Sequence, residues 1–137
     1  MIHAAAVSDY RVAGIYTNND GRFADVSAGK VKGSYPELWL KLVPTSKLVD
    51  RIRSEWDFAG VLVKFKLEVG ISEEELRKVA ERARLHSRAD LMVANTLEGM
   101  NDWALLGGAA GYEKVPRGEL ADRLLEAMES LARGQRQ

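Results

Sequence analysis

Two lysines stand one residue apart in Lys30-Val31-Lys32. In extended backbone alternate side chains share a side, so the two ammonium groups could together hold two phosphate oxygens. The same spacing also describes a pair of solvated surface lysines. Asp9 closes an apolar run at Ser8-Asp9-Tyr10, where its carboxylate could orient a hydroxyl or a metal-bound water, or cap a turn. Ala4, Ala5 and Ala6, just before it, project only methyl groups and leave room for a ligand or for a closely packed helix. Behind Pro44, Thr45 or Ser46 can cap a helix, and a helix N-terminus attracts anions. His3 and His86 are isolated, and there is no P-loop, no G-x-G-x-x-G turn, no H-E-x-x-H and no His pair at ligand spacing, so no metal site is expected.

These residues need elements to position them, and the clearest run from Asp57 to Asn95. Phe58, Val61, Leu62, Val63, Phe65 and Leu67 form a near-continuous apolar run, which predicts a strand covered on both faces. Gly70 breaks it. Ser72 and Glu75 then make a capping box, and Leu76, Val79, Ala80 and Ala83 recur at helical spacing with charges on the other side. Leu91 to Ala94 form a second strand, and a strand joined to its neighbour through a helix is usually parallel to it. In open α/β sheets ligands bind outside the carboxyl ends of the strands, here near Phe65 to Glu68 and Asn95 to Thr96.

Ile2 to Val7 read as a buried strand, and Arg11 to Ser34 as a turn-rich loop of the length that forms lids or stays disordered. Leu38, Leu40 and Leu42 alternate with Trp39, Lys41 and Val43, which predicts a strand with one strongly buried face. A helix carrying Leu48, Val49 and Ile52 follows. Leu97 to Asp102 are turn-like, Trp103–Leu106 and Tyr112–Val115 form a hairpin around Gly107-Gly108, and a final helix buries Leu120, Leu124, Leu125, Met128 and Leu131. The class is α/β with a mostly parallel sheet.

With 137 residues the chain is expected to form a single domain. Twenty basic and twenty acidic residues cancel, so no overall field draws the chain to nucleic acid or an anionic membrane. The absence of cysteine excludes disulfides, thiolate metal sites and thiol nucleophiles, and points to the cytoplasm. No apolar run reaches the length of a membrane span, and Met1-Ile2-His3 lacks the basic region of a signal peptide.

Four motifs in order, Ala4-Ala5-Ala6-Val7-Ser8-Asp9-Tyr10, Lys30-Val31-Lys32, Val63-Lys64-Phe65-Lys66-Leu67-Glu68 and Ala89-Asp90-Leu91-Met92-Val93-Ala94-Asn95, resemble the phosphopantothenoylcysteine synthetase family. More closely, the chain is similar to the carboxyl-terminal part of that ligase domain, which in many microbes is fused behind a flavin-dependent decarboxylase. The resemblance implies a partial Rossmann-like three-layer sandwich with a C-terminal hairpin and helix, and a role in coenzyme A biosynthesis. Phosphopantothenate is activated there by CTP or ATP, with Mg2+ accompanying the nucleotide, and cysteine's amine attacks the acyl nucleotide. By matching position, Ala5, Ala6 and Asp9 line the nucleotide site; Lys30 is the catalytic lysine, which also binds the nucleotide by offsetting phosphate charge; Thr45, Ser46, Lys47 and Leu48 contact the nucleotide; Phe65 packs near the base; and Lys32 and Asn95 lie on the substrate side or rim.

The chain departs from the family in places. Its K-x-K-K motif is cut to Lys30-Val31-Lys32-Gly33, Thr96 follows Asn95 where the family has aspartate, and the glycine-rich loop is shortened to Gly99-Met100-Asn101-Asp102. Two family lysines fall on Ala83 and Ser87, with Arg84 and Arg88 one position on as partial substitutes. The family's amino-terminal strand, turn and helix, which carry an asparagine acting on the acyl nucleotide, match nothing here. The chain is therefore expected to hold part of the active site and to work as a homodimer or as the complement of an amino-terminal half. The alternative is a non-catalytic dimerisation or interaction domain that docks through its final strands and helix.

Overall fold

The computed structural model describes residues 1–5 and 7–134. In chain order the elements are β1 Ile2–His3, β2 Tyr10–Asn19, β3 Arg22–Asp25, β4 Trp39–Pro44, α1 Leu48–Ser54, β5 Val63–Glu68, α2 Glu73–Ser87, β6 Leu91–Thr96, β7 Trp103–Gly108, β8 Gly111–Pro116 and α3 Leu120–Gly134. They fall into two compact units, a larger one of Met1–Ala5 with Leu48–Gln137 and a smaller one of Ala6–Lys47.

The larger unit is built on a five-stranded sheet in the order β1-β5-β6-β7-β8. β1, β5 and β6 are parallel, with Val63 beside Leu91 and Phe65 beside Val93, while β7 and β8 close the sheet as an antiparallel hairpin. Alternation sends Val63, Leu91 and Val93 to one face, where they meet Leu120 and Leu124 of α3. Met92 and Ala94 go to the other, against Leu76 and Ala80 of α2. Val49 and Ile52 of α1 close over Leu62 and Ala89. Helix, sheet and helix make three layers, the α/β class that the sequence pattern predicts.

Local chemistry starts and stops α2. Ser72 Oγ accepts from Glu75 N at 3.2 Å and Ser72 N donates to Glu75 Oε2 at 3.3 Å, so the capping box forms as predicted. Glu73, Glu74 and Glu75 place negative charge on the positive end of the helix dipole. Gly70, at φ 66°, lets the chain turn off β5 in a left-handed conformation that side chains disfavour. Asp90 ties the last turn of α1 to the start of the strands. Its Oδ2 accepts from Leu62 N at 2.7 Å and from the Arg53 guanidinium of α1 at 2.6 Å.

Several elements differ from the sequence reading. Of the strand expected over Ile2–Val7, Ile2–His3 form and the described residues Ala4, Ala5 and Val7 do not. Phe58 and Leu62 pack with α1 rather than extending β5 backwards, and Leu67 is exposed, so β5 is covered on both faces only at its start. On α3, Leu125 sits about a quarter-turn from Leu124 and is 53% exposed, and Leu131 is also exposed, so the core stripe is narrower than five residues.

In the smaller unit the expected loop over Arg11–Ser34 is largely a hairpin. β3, β2 and β4 form an antiparallel sheet in that order, with Asn19 paired to Arg22. Asp20 and Gly21 both have positive φ, 53° and 82°, the requirement of a two-residue turn whose twist matches its strands, and Gly21 N donates to Asn18 Oδ1 at 2.9 Å. A register shift between Val12 and Gly14 breaks the alternation that would have signalled β2. The strongly buried face expected on β4 is not formed, because Leu38, Leu40 and Leu42 are all exposed.

Packing sets the cost of substitutions here. Leu76→Ala, at a fully buried position, should lower unfolding free energy by about 2–5 kcal/mol, whereas exposed Leu125→Ala should change it by less than about 0.5 kcal/mol. Urea unfolding of both variants checks this, and similar costs would contradict the packing described.

Candidate functional site

Parallel β1, β5 and β6 present their carboxyl ends at one edge of the larger unit. Leu67 lies beside Asn95 and Glu68 beside Thr96, so the two strands finish level. Phe65 and Asn95 share the α3 side of the sheet by alternation, and Phe65 packs half-buried against the Val63–Val93 cluster. On the other side Lys66 and Glu68 form an ion pair of 2.7 Å. Two sequence-predicted positions, Phe65 and Asn95, are thus on neighbouring strands at one edge. Ala5 follows β1 toward the same edge, and Leu48 is the first residue of α1.

The connection beyond β6 folds back on this edge. Leu97 N donates to Glu68 O at 2.8 Å, Gly70 N to Glu98 Oε1 at 3.0 Å, and Gly99 N to Thr96 Oγ1 at 3.2 Å. A β-carbon on Gly99 would come within 2.5 Å of the Trp103 indole nitrogen, so the short loop packs tightly over Trp103. Backbone N–H groups, its own and that of Gly70, hold the Glu98 carboxyl below its ordinary value. Lys66 and Glu68 lie in the edge segment that the sequence singled out but were given no role of their own, and Glu98 was not singled out. Lys66 and Glu68 carried a usable signal, since residues two apart on a strand share a face.

In the smaller unit the structure brings together Asp9, Thr45 and Lys47. Thr45 N donates to Asp9 O at 2.8 Å, and Lys47 Nζ lies 3.8 Å from Asp9 Oδ1. Both charged side chains are well exposed, so this pair contributes little to stability. Thr45 Oγ1 is buried and makes no hydrogen bond among the described residues; α1 begins three residues later at Leu48, so Thr45 is not its side-chain cap. Ser46 is exposed. Lys30 and Lys32 lie between β3 and β4, exposed and without an ion pair among the described residues. Ala6 lies outside the described residues.

Arg84 is spent inside the fold. Its guanidinium donates to both Glu81 oxygens, at 2.8 and 2.7 Å, and to Ala89 O at 3.0 Å, and it is nearly buried. It does not replace a family lysine as a free cation. Glu81 also accepts from the Tyr112 hydroxyl at 3.0 Å; Arg84 holds the Glu81 carboxyl low, while burial and the Glu81 charge push the Tyr112 phenol up.

Residues 1–130 match the sequence profile of the DNA/pantothenate metabolism flavoprotein C-terminal domain. The chain belongs to that family. The coenzyme A biosynthesis bifunctional protein CoaBC of Thermococcus kodakarensis is 39% identical over 96% of this chain, which spans 31% of that protein. The crystal structure of the DNA/pantothenate metabolism flavoprotein from Streptococcus pneumoniae superposes with a TM-score of 0.79 at 26% identity, covering 95% of this chain and 62% of its own. A Cab2 mutant in complex with phosphopantothenate-cysteine shares the fold at a TM-score of 0.71 and 17% identity, over 98% of this chain and 45% of its own. The chain thus spans about a third of the curated relative it matches.

Family membership accounts for the edge geometry without assigning roles to its side chains. The Glu98 contact does make a prediction. A carboxylate with a lowered folded value stabilises above its unfolded value and stops doing so as pH falls through the folded one. Glu98→Gln should therefore lower the melting temperature slightly at neutral pH, leave it nearly unchanged in strong acid, and so flatten the loss of thermal stability below about pH 4.5. An unchanged acid limb in a melting-temperature series would remove Glu98 from this role.

Proposed function

We propose that the chain is the nucleotide-holding part of a coenzyme A biosynthesis ligase that joins phosphopantothenate to cysteine. One observation carries this reading: 39% identity over nearly the whole chain to a coenzyme A biosynthesis bifunctional protein. In the proposed reaction the phosphopantothenate carboxylate attacks the α-phosphorus of CTP or ATP, and pyrophosphate leaves with its Mg2+. Cysteine's amine then attacks the acyl carbon, the nucleoside monophosphate departs, and the amide remains.

The residue roles are those the family resemblance implies, and the chemistry available at each position suits them. Lys30 and Lys32 are exposed cations with no ion pair among the described residues, suited to triphosphate oxygens. Thr45 supplies an unused buried hydroxyl beside Asp9 and Lys47. Phe65 offers a half-buried ring for the base, and Asn95 an amide at the strand edge. Ala5, Ala6, Ser46 and Leu48 complete the proposed nucleotide contacts. The chain would act in the cytoplasm, as a homodimer or with an amino-terminal half supplying the rest of the active site.

A second reading, a non-catalytic dimerisation domain on the same fold, is favoured by Arg84, whose charge is used internally where the resemblance calls for a free cation. Ligand-dependent stability separates the two. At 100 times Kd a nucleotide should stabilise the chain by about 2.7 kcal/mol. CTP or ATP with Mg2+ should thus raise the melting temperature, and Lys30→Ala should abolish the rise while leaving the ligand-free melt unchanged. No shift with either nucleotide would leave the second reading.

A further inference from the structure

One cavity of the larger unit takes no part in the proposed ligase chemistry. It has a volume of about 840 Å3, within the range of small-molecule sites, and lies between α2 and the tip of the β7–β8 hairpin. β7 runs antiparallel to β6 and sets Gly107 beside Met92, so the hairpin tip stands at the amino-terminal edge of the sheet. Phe65 and Asn95 are at the opposite edge.

Most of the wall is apolar. Ile71, Val79 and Leu85 come from α2 and the residues leading into it, and Ala109 and Tyr112 from the hairpin. Leu85 is 58% exposed, an apolar side chain that the fold leaves uncovered. Packing keeps the hairpin tip thin: a β-carbon on Gly108 would come within 2.5 Å of the Asp90 carbonyl oxygen, so this part of the wall carries no side chain.

Charge decides what the cavity accepts. Glu75, Arg77, Lys78, Glu81 and Arg82 line it, and four of them have partners within the fold. Ser72 N donates to Glu75, Arg77 donates to Glu73 at 2.8 Å and to Tyr112 O, Lys78 pairs with Glu74 at 2.7 Å, and Glu81 accepts from Arg84 and the Tyr112 hydroxyl. Arg82 is exposed, and its guanidinium makes no ion pair or hydrogen bond among the described residues. Lys78, Arg82 and Leu85 follow one another on one stripe of α2, which puts this unpaired cation beside the apolar wall.

We infer that the cavity binds a small amphipathic anion, its apolar body against Val79, Leu85 and Tyr112 and its single carboxylate on Arg82. A guanidinium takes a carboxylate through two parallel N–H···O bonds, and here no existing pair has to be broken first. Glu75 and Glu81 on the same wall repel further negative charge, so a monoanion is favoured over a triphosphate. The ligand is therefore not the nucleotide of the proposed ligase, and the inference does not rest on that reading.

Octanoate, an alkyl chain ending in one carboxylate, is the probe. Titrated into the isotopically labelled whole chain, it should shift the amide resonances of Val79, Arg82, Leu85 and Ala109 saturably, with a Kd of about 1 mM or tighter. Octylamine, the same chain with the opposite charge, should not. Arg82→Glu should weaken octanoate binding about tenfold or more with unchanged far-ultraviolet circular dichroism. Ala109→Trp, which adds an indole to the wall, should abolish it, and if that variant misfolds Arg82→Glu still decides. The absence of a saturable shift, shifts confined to the smaller unit, equal binding of octylamine, or unchanged affinity in Arg82→Glu would each overturn the proposal. CTP with Mg2+ in the same assay keeps the two readings apart. Octanoate binding with no CTP effect removes only the ligase reading, and a CTP effect with no octanoate binding removes only this one.

Discussion

The larger unit depends on one constraint: β6 is buried on both faces. Leu91 and Val93 on one side and Met92 and Ala94 on the other are almost wholly removed from solvent, so a helix layer is required above and below. Burying an apolar side chain of this size stabilises by roughly 1.5–3 kcal/mol before chain entropy is counted. A strand covered on both sides and reached through a helix runs parallel to the strand before it. The shared carboxyl edge of β5 and β6 is thus a consequence of burial.

Polar contacts fix the ends of this arrangement rather than its middle. At the amino-terminal edge Asp90 joins α1 to the start of the strands through Arg53 and the Leu62 N–H. This ion pair is substantially shielded, and removing either partner would strand the other away from water. At the opposite edge Glu98 and Thr96 hold a short loop with backbone hydrogen bonds, which leaves the strand ends defined but only partly covered. One edge is tied by a shielded ion pair and the other by a short hydrogen-bonded loop at the strand ends, where ligands bind in such sheets.

The smaller unit follows a different logic. Its sheet is held by backbone pairing and a two-residue turn, with little side-chain burial. Lys30 and Lys32, the cations proposed for the nucleotide, sit on the connection between β3 and β4, and Asp9, Thr45 and Lys47 gather where β2 begins and β4 ends. Loop cations with no ion pair among the described residues are suited to an anionic ligand, because no such pair must be broken first.

Much of the larger unit was legible in the sequence because its signals are local. Ser72 and Glu75 announce a cap whatever surrounds them, and Leu76 and Ala80 mark a helix face by spacing alone. The paired runs around Val63 and Leu91 identify a parallel pair. Motif order singled out the candidate residues, and two of them, Phe65 and Asn95, lie on neighbouring strands at one edge. The β2–β3 hairpin was obscured because a register shift beside Gly14 spoils the alternation, although Asp20-Gly21 is a hairpin signal on its own. Tertiary structure alone decided which apolar residues are covered. Leu40, Leu42 and Leu125 look like core residues in any local window, yet burial depends on what lies opposite in space, and spacing along a chain does not contain that information. The fate of Arg84 was decided in the same way, since only the folded arrangement puts Glu81 and the Ala89 carbonyl around its guanidinium.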